Sequence, residues 1–311
     1  MKSHLTGSFP RSEDLVRVTR AYERQKLGLE ELQKATNKDI IHVLDLQKRA
    51  SFSYLVDGQL NWQDRFRPFT RILSGMEPGA LTRWYDNNTF YRQPIIKEKV
   101  RYVGTGLEEY FRYDLIPNDT AKKAILPGPY TFAYNSQRLA YSSVADLVDD
   151  LAHAIREACR RLSEVGYTYF QFDEPALTFH KPSKDELILA KNAFEILGGI
   201  PGAKTCLQTY FGDAAPILDS LLEFKTDAIG IDFYATSLES IKNYKFGKIL
   251  GCGCIDGRNS LLETPTDLAR FMNEARKIAD DIYLCPNCDL EFLPYPVAEK
   301  KVQLISEMIG G

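Results

Sequence analysis

The chain has 311 residues, 44% hydrophobic and 26% charged, which is enough apolar material for a large buried core. Lys and Arg number 39 against 42 Asp and Glu, for a net charge of −3, and the two signs interleave, so no basic stripe for nucleic acid is present. No run has the length and apolarity of a membrane span and the N-terminus lacks the long apolar segment of a signal peptide, so neither membrane nor secretion is expected and a cytoplasmic location is.

In chain order, a short β-rich run at residues 4–9 comes first and ends in a Gly-Ser-Phe-Pro-Arg turn. A long, charged helical pair over residues 15–49 and a second β-rich run at 52–57 follow. Residues 84–113 have the look of an added hairpin rich in Tyr, Asn and Arg. A third run, 123–127, precedes a helix over 143–165, where Val144, Leu147, Val148, Leu151, Ile155, Ala158 and Leu162 recur at the spacing of one buried face and Ser143 offers an N-cap. Five further runs, 167–173, 204–211, 228–233, 248–255 and 282–285, alternate with helical stretches at 184–197, 213–224, 265–279 and 297–309. Ser183 with Glu186 stands at capping-box spacing before the first of these.

Eight strands alternating with helices predict an α/β chain of the (β/α)8 TIM-barrel class, one domain over residues 1–311 with a helical excursion at about 12–49 and a hairpin insertion at about 84–115. No Gly-x-Gly-x-x-Gly turn follows the first strand, which disfavours a dinucleotide-binding sheet.

In such a barrel, function gathers where the strands end. The ends read Gly7-Ser8-Phe9-Pro10-Arg11, Asp57-Gly58-Gln59, Gly128-Pro129, Asp173-Glu174-Pro175, Gln208-Thr209-Tyr210, Asp232-Phe233-Tyr234, Cys254-Ile255-Asp256-Gly257-Arg258-Asn259 and Cys285-Pro286-Asn287-Cys288. Asp173 and Glu174 close a strongly apolar run, where a carboxylate needs a ligand amine or a cationic side chain nearby; the alternative is that the Asp-Glu-Pro corner caps the following segment or pairs with Arg258. With Asp256 they are the candidate catalytic carboxylates. Trp84, Tyr85, Asn87, Asn88, Tyr91 and Arg92 suit stacking on a flat ring, or an interface for a second barrel, or a hairpin that plugs one end. The four histidines are scattered, which makes structural roles the expectation for them.

The six cysteines are expected in a reducing compartment, as core fillers, metal ligands or nucleophiles rather than disulfides. Cys252 and Cys254 lie on one face of a strand, where thiols act as small hydrophobes. Cys206, Cys254 and Cys288 end or border three strands, so together with Asp232 they are the candidate set for a zinc ion.

Residues 7–11 (GSFPR), 126–132 (LPGPYTF), 170–177 (FQFDEPAL), 255–259 (IDGRN) and 285–290 (CPNCDL) resemble the cobalamin-independent methionine synthases along nearly the whole chain. Enzymes of that family consist of two related barrels, and residues 83–94 (RWYDNNTFYRQP), 207–213 (LQTYFGD) and 255–259 look more like the N-terminal barrel. The resemblance implies a methyltransferase of methionine biosynthesis, with homocysteine and a methyl donor, methylfolate or another, as small-molecule substrates. The alternative it leaves open is a non-catalytic folate-binding or docking subunit that completes a separate, zinc-bearing barrel protein. It also implies that Asp173 contacts the substrate amino group, that Gly7 and Ser8 face its carboxylate, and that Gln59 stands where the catalytic barrel carries a Glu. Arg11, Asp57, Trp84, Tyr85, Asn88, Thr209, Asp232, Arg258 and Asn259 complete the expected substrate-binding set. Against the family's zinc ligands the matching positions hold Leu207, Thr209, Asp232 and Cys288, so only the last is intact and Asp232 is a shorter carboxylate. Arg17, Arg20, Arg24 and Lys26 are either solvated or available to a polyglutamate tail.

Overall fold

Runs such as Tyr167–Asp173, in which every residue but Thr168 is buried, satisfy themselves only in a strand covered on both faces. The computed structural model describes residues 1–310 and places ten strands. They are β1 (Lys2–Ser3), β2 (Leu73–Arg83), β3 (Phe90–Tyr102), β4 (Lys122–Pro127), β5 (Gln137–Arg138), β6 (Tyr167–Asp173), β7 (Lys204–Gln208), β8 (Ala228–Asp232), β9 (Ile249–Ile255) and β10 (Ile282–Pro286). Seven form one parallel sheet in the order β1-β10-β9-β8-β7-β6-β4.

That sheet curls. Tyr169 of β6 and Tyr283 of β10 are separated by three intervening strands, which in a flat sheet would put them about 19 Å apart at about 4.8 Å per strand. Their ring centroids are 6.3 Å apart. Inside the curl, Tyr54, Tyr169, Cys206, Ala228, Ile249 and Tyr283 pack as a cluster separate from the main core.

The expected eight-strand count is corrected to seven. Residues 52–57 do run between the two edges, with Ser53 N–H donating to Ser3 O (3.0 Å), Leu55 N–H to Ala121 O (2.9 Å) and Lys123 N–H to Leu55 O (2.9 Å). Only the Leu55–Lys122 pairing forms a ladder rung, so this stretch is a bridge and not a strand. The first strand is also short. Beyond Ser3 the chain leaves the ladder because Ser8 N–H turns to the Asp289 carboxylate and Phe9 N–H to Gly58 O.

The helices form where cap and periodicity agree. Val144–Glu164 starts from Ser143, whose hydroxyl accepts from Ala145 and Asp146 N–H, and it buries Leu147, Val148, Leu151, Ile155, Ala158 and Leu162 against the sheet. Lys184–Leu197 carries the Ser183/Glu186 capping box. The charged N-terminal pair is Glu13–Glu23 and Leu29–Arg49. The stretch expected as one helix over 213–224 is broken into a single 3-10 turn, Ala215–Ile217, and Leu218–Leu222; Pro216 has no N–H to continue a ladder. Pro265–Ala275 and Tyr295–Gly310 close the chain.

The hairpin expected at about 84–115 begins earlier. Its arms are β2 and β3, and Trp84 to Thr89 is the turn, closed by Trp84 N–H on Thr89 O (2.9 Å). Two register shifts, at Ser74/Met76 and Pro78/Leu81, break the alternation of β2 and hide it from a period-of-two reading; Gly75 at the first sits at φ +82° with the partner backbone too close for a side chain. Among the described residues no helix is long and apolar enough to cross a membrane.

Candidate active site

The carboxyl ends of the strands converge on one buried ion cluster. Arg65, in the loop that leads into the hairpin, places Nη2 2.6 Å from Asp289 Oδ2 and 2.8 Å from Glu291 Oε1, with Nη1 donating to Asp289 Oδ1 at 3.1 Å. Its guanidinium carbon lies 5.0 Å from the centre of the Trp84 ring. Burial opposes the charge, yet Asp289, Tyr210 and Glu291 outweigh it and hold the Arg65 pKa above its ordinary value. Gly7 is required here, because a Cβ would stand 1.8 Å from Asp289 Oδ1. The Ser8 N–H donates to that oxygen at 2.7 Å.

Asp173, at the end of β6, is the outlying member. Its Oδ1 accepts from Gln171 Nε2 (2.6 Å) and its Oδ2 from the Tyr210 hydroxyl (3.3 Å), while Arg65 Nη1 remains 4.0 Å away. Burial pushes the carboxyl up to about 7, Asp289 pushes the same way, and Arg65 pulls it down. Glu291 is likewise raised, by burial first, with Arg65 opposing.

The neighbouring Glu174 has a different task. Its two oxygens accept the N–H groups of Tyr130 (3.0 Å) and Thr131 (2.7 Å), at the start of the short helix Pro129–Tyr134. A Cβ on Gly128 would come within 2.2 Å of the Glu174 carboxyl, so the glycine lets the carboxyl seat. Burial raises Glu174 to about 7 against the pull of those donors. The corner that resembled a catalytic pair therefore joins one carboxylate facing the ion cluster to one that caps.

The other expected residues divide into two groups. Ser8 Oγ donates to Gln59 Oε1 (2.7 Å), and Gln59, held at φ +53° by Asp57 Oδ1 on its N–H (2.9 Å), donates to Ile125 O (3.2 Å). Arg11 binds the carbonyls of Leu60 and Trp62. Ser8, Arg11, Gln59, Trp84, Asn88 and Arg65 share a cleft of about 550 Å³ with Glu291 and Tyr295. It abuts a groove of about 1020 Å³ that reaches Arg67, Arg92 and Arg112. Asp173 lines a separate void of about 10 Å³ bounded by Gln59, Arg65, Trp84 and Tyr210, the first three of which also line the cleft.

The second group stays outside the ion cluster. Asp256 receives the Arg258 N–H (2.9 Å) within its own turn, and Asn259 is exposed. Arg258, expected as a partner of Asp173, pairs instead with Asp86 (2.9 Å) and lies over Phe211. Tyr85 accepts from Asn135 (3.2 Å). Thr209 spends its hydroxyl on Gly230 O (3.1 Å). Arg65, Asp289, Glu291 and Tyr210 were not singled out from the sequence. Asp289 lies within the CPNCDL stretch and Glu291 just after it, but nothing local to either shows that Arg65 folds over to meet them.

A zinc site does not assemble. Cys206 belongs to the cluster inside the curl, away from Cys288, and burial raises its thiol to about 11. Burial, followed by neighbouring acidic groups and thiols, holds the Cys254 and Cys288 thiols well above the ordinary value. Asp232 already accepts from Phe211, Tyr234, Ala235 and Asn287, and Leu207 is core. Among the described residues no three His, Cys, Asp or Glu side chains stand close enough to hold a metal. The residues present do not fit zinc.

The model of the cobalamin-independent synthase N-terminal domain matches residues 50–280. Methionine synthase of Saccharolobus solfataricus is 30% identical over 306 residues, covering 95% of this chain and 90% of that protein. Methionine synthase of Sulfurisphaera tokodaii is 29% identical over 303 residues, covering 95% and 88%. Among solved structures, a B12-independent methionine synthase from Shewanella sp. W3-18-1 in complex with selenomethionine superposes with a TM-score of 0.78 at 21% identity, over 99% of this chain and 96% of that one. A putative vitamin-B12 independent methionine synthase from Listeria monocytogenes gives 0.81 at 15% identity, over 100% and 97%. At these identities the structural likeness is one of fold.

Proposed function

This chain belongs to the cobalamin-independent methionine synthase family, and from that premise we propose that it is a methyltransferase of methionine biosynthesis, taking part in methyl transfer to the thiol of homocysteine. The observation that carries this is the uneven sharing of Arg65, which grips Asp289 and Glu291 closely and leaves Asp173 4.0 Å away. A buried carboxylate so placed is completed by a cation, and the ammonium group of an amino acid supplies one. Phe90, exposed on the rim of the cleft, offers an aromatic face to a methyl donor such as methylfolate, while the buried Trp84 and Tyr91 back the cleft wall.

In the transfer, the new bond joins the methyl carbon to sulfur, the donor's bond to that carbon breaks with its electron pair staying on the donor, and the thiol proton leaves to a base. Asp173 orients the amino acid. The surrounding Trp84, Tyr210 and Gln59 exclude water from its carboxylate. No step is assigned to zinc on this chain.

Leu207, Thr209 and the fully bonded Asp232 favour one further reading, in which a second, separately encoded barrel protein of the same family supplies thiol activation. Under either reading we take the chain as a single domain in the cytoplasm, a barrel-like fold of seven strands in which the Leu55 segment bridges the two edges at the eighth position. Incubation with homocysteine and methyl donors, with methionine read by mass spectrometry, tests the assignment. Methionine that disappears in Asp173→Asn is expected; none from any donor, with or without zinc or a catalytic barrel protein, would overturn it.

A further inference from the structure

A charged side chain lies inside the curl beneath the site. Lys123 of β4 is fully buried; its ammonium donates to Leu5 O (2.7 Å) and Gln171 Oε1 (2.5 Å) and lies 2.8 Å from His4 Nδ1, which is itself 3.0 Å from Leu5 O. Because Oε1 of Gln171 faces the ammonium, the amide nitrogen must face the other way, where it donates to Thr6 O and to Asp173 Oδ1 at 2.6 Å. A flipped amide would set its oxygen against both of those oxygens and its N–H groups against the ammonium. The lysine therefore decides which way the glutamine points.

We propose that Lys123 and Gln171 are positioning residues for Asp173: the ammonium orients the amide, and the amide N–H favours the ionised carboxylate and aims it at the substrate amine. This rests on the functional reading of Asp173 given above. A buried ammonium is costly where Met would pack, and its retention is explained by the group it serves.

The charged surroundings agree. Burial lowers Lys123 to about 8, with Cys206, Cys285 and Asp173 opposing, so it is protonated at neutral pH. His4 is pushed well below its ordinary value by burial and then by Lys123, and so is the neutral ring. The Tyr169 ring lies 5.3 Å from the ammonium, and burial keeps the Cys206 and Cys285 thiols protonated. Asp173 itself is faced by Arg65, Asp289, Tyr210 and Gln171, and the Lys123 charge acts on it directly as well.

The test is a carbon-13 carboxyl NMR titration of Asp173 in the parent protein, Lys123→Met, Gln171→Met and the double variant. Each single change is expected to raise the midpoint by about one pH unit, and the double change to raise it by less than the sum of the two, since both cut one relay while the Lys123 charge also acts on Asp173 directly. An unmoved midpoint in folded variants, or shifts that add, would overturn the proposal. Should the variants fail to fold, the side-chain amide of Gln171 in the intact protein must titrate with the midpoint of Asp173; an amide signal unmoved by that titration would equally overturn it. These readouts need no substrate, so they stand apart from the methyl-transfer assignment. The acid limb of kcat/KM, shifted in step with the midpoint, ties the relay to catalysis.

Discussion

Arg65 stands 4.0 Å from Asp173 but 2.6 Å from Asp289, so one guanidinium serves two carboxylates unequally. With Glu291 also bonded, three acids surround one cation in a buried site. Asp173→Asn keeps the shape and removes the charge. Substrate binding is expected to weaken by roughly 2 kcal/mol or more, read as a rise in KM or a calorimetric loss of methionine binding.

The same substitution changes the response of stability to pH. Asp173 titrates at about 7 in the folded chain against 3.8 as its ordinary value, so between these pH values the native state keeps a proton that the unfolded state has lost. Stability from this group is therefore largest at low pH and declines as pH rises through that window. Asn has no such proton to lose. Denaturant unfolding at about pH 5 and about pH 7.5 should show the variant gaining on the parent at the higher pH.

Removing the cation itself should be severe. Arg65→Met leaves Asp289, Glu291 and Asp173 facing one another without a counter-charge, and breaking a buried pair in this way costs roughly 3–5 kcal/mol, measurable by urea unfolding. Arg65→Lys should recover only part of it, since a point charge cannot bond both Asp289 oxygens and Glu291 in the same fork.

Glu174 should register in stability and not in chemistry. Glu174→Gln weakens the cap on Tyr130 and Thr131 at a cost of about 1–3 kcal/mol, and Gly128→Ala drives a methyl group into the carboxyl at a comparable or larger cost. KM and kcat of the folded Glu174→Gln protein should stay near the parent values. A normal melting temperature with collapsed kcat would contradict the capping role.

The parallel strands were legible because a strand buried on both faces reads as a continuous apolar run, as Tyr167–Asp173 does, and helices with a cap were legible because Ser143 and Ser183 act within a few residues of themselves. What escaped was set by distant partners. Residues 4–9 leave the ladder for Asp289 and Gly58, and residues 52–57 are held by edges on either side. Asp173 was found through its need for a cation, yet Arg258 was expected where Arg65 stands, since nothing local to residue 65 tells that its loop folds over the strand ends. The candidate zinc ligands are not brought together for a related reason: proximity to strand ends gathered Cys206 and Cys288 in sequence terms, while alternation sent Cys206 into the curl with Tyr169.

Elemental analysis should accordingly find zinc well below one equivalent, unchanged in Cys288→Ala, and a chelator should leave the melting temperature where it was. Stoichiometric zinc lost in that variant would show that the thiols rearrange around a metal.

The most direct measurement is transfer of an isotopically labelled methyl group to homocysteine by the purified chain, alone and with a catalytic barrel protein of the family, in parent and Asp173→Asn forms. Labelled methionine formed by the parent and reduced by at least the binding loss above in the variant is the expected result. Equal methionine from both forms, or none from either under every condition, would contradict the assignment of Asp173 and with it the proposed role of the cleft.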